Sequence, residues 1–495
     1  MSEQHPLPPD LNIAPEDWQQ TPASVRAVLL SLYHLLQAQQ IQLEKLAQLE
    51  QEVAQLREQL SRNSSNSSQP PSSDPPDQRP AQAETKPQKQ RRKRGGQAGH
   101  RGHQRILVPV EQVDRIETCK PSACRECGGA LMGDDPDPYR YQTVETPPPK
   151  ADVTEYQVHR LRCPDCGAQT RGSLPPEAQA SQFGVNLSTW IVMLMGVYRL
   201  SKRQVVDLLA TTYGVQMSPG SVVNVQNRAS QALARVVDEA YEAVKTQPAR
   251  YIDDTGWQQG DQARSSYLWV VVTPLVVVFH IVASRAGQVA RDLLGEDSSG
   301  ATISDRASSF SWLNGRVWQV CWAHLLRDFQ KILERGGSSF QVGENLRIQA
   351  EYLLMCWGRV RDGTLSHEAF LAELPGMQTT VHQALVEGSL CDHAKTAETC
   401  RRLLDVEHAL YTFTTHPQVE PTNNAAERAL RPAVIWRKTS YGTQSQAGSR
   451  FVERILTVVA SCRQQERNPF EFVRDAFLAQ RSGSTPPSLL THPLT

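Results

Sequence analysis

From Val25 to Leu60 the chain contains neither glycine nor proline, and apolar residues recur at steps of three and four. Leu46, Leu49, Val53, Leu56 and Leu60 follow the alternating step of a coiled-coil seam, and the register runs back through Gln42 and Gln39 to Leu35, Leu32, Val28 and Val25. The pattern predicts one long helix over 24–62. Two glutamines weaken the seam at its middle, so two readings stand: pairing with a second copy, or an amphipathic helix packed on its own chain. The periodicity stops at SRNSSNSSQPPSSDPPDQRP (61–80), whose Ser, Asn and Pro content cannot bury enough surface to fold. Residues 1–23 are similarly polar and are expected to be disordered, as is the linker over 63–106.

Helical spacing returns over 180–247. NLSTWIVMLMGVYRL carries an apolar face broken at Gly196, and the next stretch reads as helix, turn, helix, with Tyr213-Gly214 at the bend. Ser218-Pro219 supplies an N-cap and a proline at the first helical position. Such a pair would set Ser221, Asn224, Gln226, Asn227 and Arg228 in a DNA major groove, or be plain helical packing. From residue 248 the period changes to that of strands: ARYIDDTGWQ, SSYLWVVVTP and LVVVFHIVAS, then a helical AGQVARDLLG, then GATISD and GRVWQVCWAH. Three strands, a helix and two more strands is the order of an RNase H-like α/β core. Its parallel neighbours bring a carboxylate of the first strand to one at the end of the fourth. The core is expected in two parts, 248–336 and 421–480. A helical insertion at 337–420 separates them, being too long for a loop, and a tail follows at 481–495.

Composition changes this picture in two places. The 52 basic and 52 acidic residues balance, which hides a segregation: Lys86 to Arg105 holds eight Lys or Arg and no acid. Arg91, Arg92, Lys93 and Arg94 make that arm a polyanion binder, with a solvated linker or localisation signal as its plainer alternative. No apolar run reaches the roughly 20 residues of a membrane span, and the start has no secretion-signal pattern, so a cytoplasmic protein is expected. Ten cysteines in such a chain point to metal or buried thiols rather than disulfides. Cys124-x2-Cys127 and Cys163-x2-Cys166 sit in the knuckle-like turns CRECGG and CPDCGA, and the four thiolates predict one structural Zn²⁺ in a module over 107–172. The pairs lie further apart than in a usual finger, so the Tyr- and Val-rich stretch between them is expected to form strands. Cys119 lies close enough to the first pair to compete.

Chemistry concentrates in three acidic positions. Asp253 and its neighbour Asp254 stand where the first strand is expected to be ending, Asp305 closes GATISD, and Glu427 rides on the helix opened by PTNNAAERALRP. Carboxylates gathered from distant sequence repel unless a cation lies between them. Two Mg²⁺ or Mn²⁺ ions so held would suit phosphodiester chemistry. Arg428 and Arg431 share the helix of Glu427, and Arg437 and Lys438 end it, as candidates for DNA contact. Strand alternation favours Asp253 over Asp254 as the metal-facing acid.

The coil ending in SRNSSNSSQPPSSD, the basic GGQAGHRGH, the cysteine knuckles, FGVNLSTWIVMLMGVYRLSKRQVVDLL, the DDTGW strand, CWAHLLRDF and NNAAERALRP with its RK pair together resemble DDE-type transposases, specifically the large transposase of the insertion-sequence family numbered sixty-six. The resemblance carries the acidic triad to Asp253, Asp305 and Glu427. It matches Cys321 and His324 to a Cys-x2-His element, where His324 touches phosphate or a site carboxylate; core packing and a structural hydrogen bond are the plainer roles. Where the family usually has Asp-Glu-Thr, this chain has Asp253-Asp254-Thr255. The resemblance implies binding to terminal inverted repeats and target DNA, hydrolytic release of 3′-hydroxyl ends, strand transfer, and small accessory proteins of the same element as partners; the coil periodicity adds an expected homo-oligomer through the N-terminal helix, in a bacterial cytoplasm where the protein joins the nucleoid when DNA-bound. The alternatives are a nuclease that cuts without joining, or a domesticated DNA-binding derivative without catalysis.

Overall fold

The computed structural model describes residues 8, 11–61, 67, 107–146, 148–175, 178–179, 181–260, 266–296 and 299–490. The basic arm, Arg91 to Arg94 included, lies outside them. A short helix α1 (Pro15–Gln20) precedes α2 (Ala23–Ser61), a single run of 39 residues, or about 58 Å at 1.5 Å per residue. Its seam residues Leu32, Leu35, Leu46 and Leu49 are at least half exposed. Packing against its own chain is therefore not what covers them.

No described residue between 107 and 175 is buried. Strands β1 (Arg160–Arg162) and β2 (Gln169–Arg171) pair antiparallel around the second knuckle, Arg160 opposite Arg171. The strands expected in the Tyr- and Val-rich stretch are not formed. Tyr139, Tyr141, Val144 and Val153 stay exposed, and an extended segment with no face to bury gains nothing from pairing.

Beyond residue 181 the chain is densely packed. Helices α3 (Val185–Gly196), α4 (Lys202–Tyr213), α5 (Pro219–Ala232) and α6 (Ala234–Lys245) lead to the sheet. Local signals set their limits. Ser201 and Gln204 form a capping box on α4, Gly214 closes it in the left-handed conformation, and Ser218 caps α5. At Gly196 a Cβ would stand 2.4 Å from Cγ1 of the buried Ile455, so the glycine ending α3 is a point of close approach to a later helix.

The main sheet has five strands: β3 (Ala249–Trp257), β4 (Ser266–Val272), β5 (Val277–Val282), β6 (Ala301–Ser304) and β7 (Trp318–Val320), with α7 (Gly287–Leu294) between β5 and β6. Their order is β5-β4-β3-β6-β7. The first three pair antiparallel, and β6 and β7 join in parallel. The β3 strand does not end at its carboxylates. It runs on to Trp257, because β4 pairs with it throughout, Asp253 opposite Val270 and Trp257 opposite Ser266.

After β7 come α8 (Trp322–Glu334), within the stretch assigned to the core, and then α9 (Ser338–Arg361), α10 (His367–Ser389) and α11 (Ala394–Leu404), which lie in the 337–420 stretch expected as a helical insertion. Buried Gln319 of β7 ties it to the sheet, donating to the Leu410 carbonyl at 3.0 Å and accepting from Phe413 N–H at 3.0 Å. Three helices close the chain: α12 (Asn424–Ser440), α13 (Gln446–Gln464) and α14 (Pro469–Ser482). The outer edge of β5 has no neighbouring strand, and α13 takes that place. Ser461 Oγ and Thr457 Oγ1 accept from Val277 and Phe279 N–H at 3.0 Å, and the Glu453 carboxylate accepts from Ile281 N–H. Acceptors four residues apart on a helix meet donors two apart on a strand, which satisfies a buried edge that would otherwise cost stability. Among the described residues no helix is long and apolar enough to cross a membrane.

Candidate active site

Parallel pairing of β3 with β6 sets Tyr251 beside Ile303. Two residues further along each strand come Asp253 and Asp305, side by side at the end of the shared ladder. Asp305 follows directly on β6, where its Oδ1 accepts from Ala307 N–H at 3.0 Å and fixes the turn. Glu427 reaches the same place from the first turn of α12.

The charges of Asp305 and Glu427 both act on Asp253. Burial pushes the Asp253 carboxyl well above the usual carboxylate range, and the charges of Asp305 and Glu427 push it further, against one backbone N–H from Asp254. The residue is half-buried, keeping an open side while the protein around it disfavours its charge. Asp254 is held differently. Its side chain is 3% exposed and accepts from Arg285 Nε at 2.8–3.0 Å. Burial raises its pKa while Arg285 draws it back down. One aspartate is thus committed to an ion pair, and the other faces two further acids.

Helix α8 supplies the wall opposite. His324 Nδ1 lies 3.5 Å and Arg327 Nη2 3.9 Å from Glu427 Oε1. The His324 contact is an ion-pair distance without hydrogen-bond geometry, since both atoms are buried without a hydrogen-bond partner. Burial, then Arg327, depress the His324 pKa, so its neutral form prevails. Cys321, His324 and Glu427 each offer a ligand atom, all within 4.8 Å of one another. Among the described residues no other group of three His, Cys, Asp or Glu side chains gathers so tightly. Asp253, Asp305 and Glu427 are therefore within electrostatic reach but more widely spread, with Glu427 turned towards the His324 corner. Cys321 is a poor ligand as it stands, because burial pushes its thiol up to about 12.

The knuckles form as expected locally. Cys124 N–H donates to Gly129 C=O at 2.8 Å and Cys163 N–H to Ala168 C=O at 2.8 Å, while Gly128 and Gly167 share φ 73°. Backbone N–H groups of the second cysteine and the residue before it lower the pKa of Cys124 and of Cys163. Each turn is shaped to hold a thiolate. Cys124, Cys127, Cys163 and Cys166 are nonetheless not drawn together, no three of their sulfurs lying mutually within 4.8 Å.

The basic candidates divide. Arg228 is exposed on α5, as are Arg428, Arg431 and Lys438 on α12, whereas Gln226 is buried and cannot reach a base. Arg437 is half-buried, its Nη1 donating to Thr255 Oγ1 at 3.0 Å and to the Gly256 carbonyl, which ties α12 to β3. Three participants escaped the sequence reading: Arg285, Arg327 and Asn423. Arg327 was recoverable, because it stands three residues after His324 on one helix face. Arg285 lies in the turn after β5, and nothing local pairs it with Asp254.

The chain is 24% identical over 424 residues to the uncharacterized protein y4qI of Sinorhizobium fredii, covering 79% of this chain and 75% of that protein. It is 22% identical over 401 residues to the uncharacterized protein y4hP of the same organism, covering 73% and 71%. Residues 24–106 match a family of unknown function. Residues 180–450, which contain Asp253, Asp305 and Glu427, match the transposase IS66 family, and the chain belongs to that family.

Proposed function

We propose that this transposase binds the terminal inverted repeats of a mobile element, hydrolyses phosphodiester bonds at its ends and joins the released 3′-hydroxyls to target DNA. The sheet order and its change from antiparallel to parallel pairing support reading the core as RNase H-like. The observation that carries the reading is Asp253, whose charge is disfavoured by burial and by two acids brought from other elements. That repulsion has no structural use, since a single hydrophobic residue would pack better. It fits a site whose charge is to be neutralised by divalent cations, and Glu427 Oε1, buried without a hydrogen bond, fits the same chemistry.

Asp253, Asp305 and Glu427 would hold two Mg²⁺ or Mn²⁺ ions. Such ions activate a water or hydroxyl and neutralise the leaving oxygen. Arg327 and neutral His324 would hold Glu427 in place, while Arg285 keeps Asp254 out of the set. Exposed Arg228, Arg428, Arg431 and Lys438, with the basic arm, suit contact with the phosphate backbone. Cys124, Cys127, Cys163 and Cys166 would share one structural Zn²⁺, and the uncovered seam of α2 suits pairing with a second copy. The test is cleavage of DNA carrying the element's ends, with Mg²⁺ or Mn²⁺. Asp305→Ala should lose on the order of 10²–10³-fold or more in cutting while end-binding is retained. Undiminished cutting by that variant refutes the assignment, and pre-cut ends that fail to join target DNA would leave a nuclease instead.

A further inference from the structure

At the start of the element that carries Glu427, one residue touches both other parts of the site. Asn423 is fully buried, immediately before α12. Its Nδ2 donates to the carbonyl of Ile252, the residue before Asp253, at 2.8 Å. Its backbone N–H donates to the sulfur of Cys321 at 3.1 Å. Its own carbonyl accepts from Glu427 N–H at 3.2 Å. Cys321, also fully buried, is the N-cap of α8, the helix of His324 and Arg327. At the next residue, Trp322 N–H donates to the Pro421 carbonyl at 2.9 Å, a second bond across the same junction. Three segments distant in sequence thus meet at an amide and a thiol, and each bears a group of the site.

We propose that Asn423, anchored on the Cys321 sulfur, is the positioning residue that sets the separation between Glu427 and Asp253. This gives the Cys-x2-His element a division of labour: His324 faces Glu427, and Cys321 faces the backbone as an acceptor. A neutral thiol suits that role, because it accepts an N–H group without placing a charge beside the acids. Cutting Asn423 back to alanine frees the Ile252 carbonyl and removes the tie between β3 and the Glu427 end of α12, while Arg437 still holds the far end. Serine in place of Cys321 keeps an acceptor where alanine removes it.

The proposal rests on the metal-dependent reading above, and its test is separable from it. Mn²⁺ binding to the full-length protein is measured by electron paramagnetic resonance, and backbone hydrogen exchange is measured without metal. For Asn423→Ala the Mn²⁺ dissociation constant should rise at least about tenfold, the scale of losing an outer partner of a ligand. Exchange should quicken together over 250–257 and 424–430, while peptides of β5 and α13 are unchanged. Cys321→Ala should follow in the same direction and Cys321→Ser should restore binding close to wild type. Wild-type metal affinity and exchange in Asn423→Ala overturn the proposal. So does Cys321→Ser as impaired as Cys321→Ala, which would make the sulfur a ligand. Failure of the wild type to cut DNA would instead defeat the functional reading, and the exchange result would still decide this one.

Discussion

The cysteine-bearing segment and the packed core use the same chain chemistry to opposite ends. In residues 107–175 no described side chain is buried, and the order present is two cysteine turns with one short hairpin. Past residue 181 four tryptophans, Trp257, Trp269, Trp318 and Trp322, are almost completely buried around one sheet, and even its open edge is capped from α13. A segment that covers so little apolar surface cannot offset its conformational entropy by burial. Something else has to hold it, and the cysteine turns whose backbone N–H groups lower the Cys124 and Cys163 pKas suit a metal crosslink. The core needs no such crosslink: its charged site is a functional burden that the packing around it supports.

The largest effect that would sharpen this contrast is removal of zinc. Structural zinc supplies apparent binding energies of about 10–16 kcal/mol in small domains, far above anything the segment's own contacts provide. Purified protein should contain one Zn²⁺ per chain by elemental analysis, and chelation or Cys163→Ser should remove the protection of 107–175 from proteolysis while the melting transition of the core stays in place. Loss of the core transition on chelation would erase the distinction between the two regions. Unchanged protection of 107–175 would show that the segment is held by something other than its cysteines.

A smaller effect lies at the edge of β5. Thr457→Val is nearly isosteric and leaves Phe279 N–H buried without its acceptor. The expected loss is about 1–3 kcal/mol, measured by chemical denaturation, with DNA cleavage by the remaining folded protein unaltered. A loss no larger than that of an exposed substitution would mean that α13 merely lies against the strand. This contact also marks where the sequence stopped being legible. Caps such as Ser218-Pro219 and Gly214 were readable because their partners lie within a few residues. The strand runs were readable because burial on both faces leaves them almost wholly apolar. Glu453, Thr457 and Ser461, by contrast, look like ordinary polar breaks in an apolar helix until the strand edge they serve is known. Asp254 with Arg285, and Asn423 with Ile252 and Cys321, are of the same kind, each made by contact between distant segments. The Tyr- and Val-rich stretch failed for the converse reason: strand-forming residues were present, and a surface to cover was not.

The smallest effect concerns charge inside the core, and its sign separates a functional acid from a structural one. Asp253 holds its proton to higher pH in the folded protein than in the unfolded chain, first because of burial and then because of Asp305 and Glu427. Above the ordinary carboxylate value of about 4 the folded state therefore binds more protons than the unfolded one, so stability falls as pH rises through the interval from that value to Asp253's raised one. In metal-free protein Asp253→Asn should remove this slope and raise the melting temperature at neutral pH by about 2 °C, the scale of a small stability change in a domain of this size. The same substitution should abolish DNA cleavage. An acid whose ion pairs and hydrogen bonds lower its pKa gives the opposite slope; Asp254 is not such a case, since burial raises its carboxyl against the pull of the exposed Arg285. If Asp253→Asn melted lower than wild type without metal, the carboxylate would be serving the fold, and the crowding of acids at the end of β3 would need an explanation other than the cations it is here taken to await.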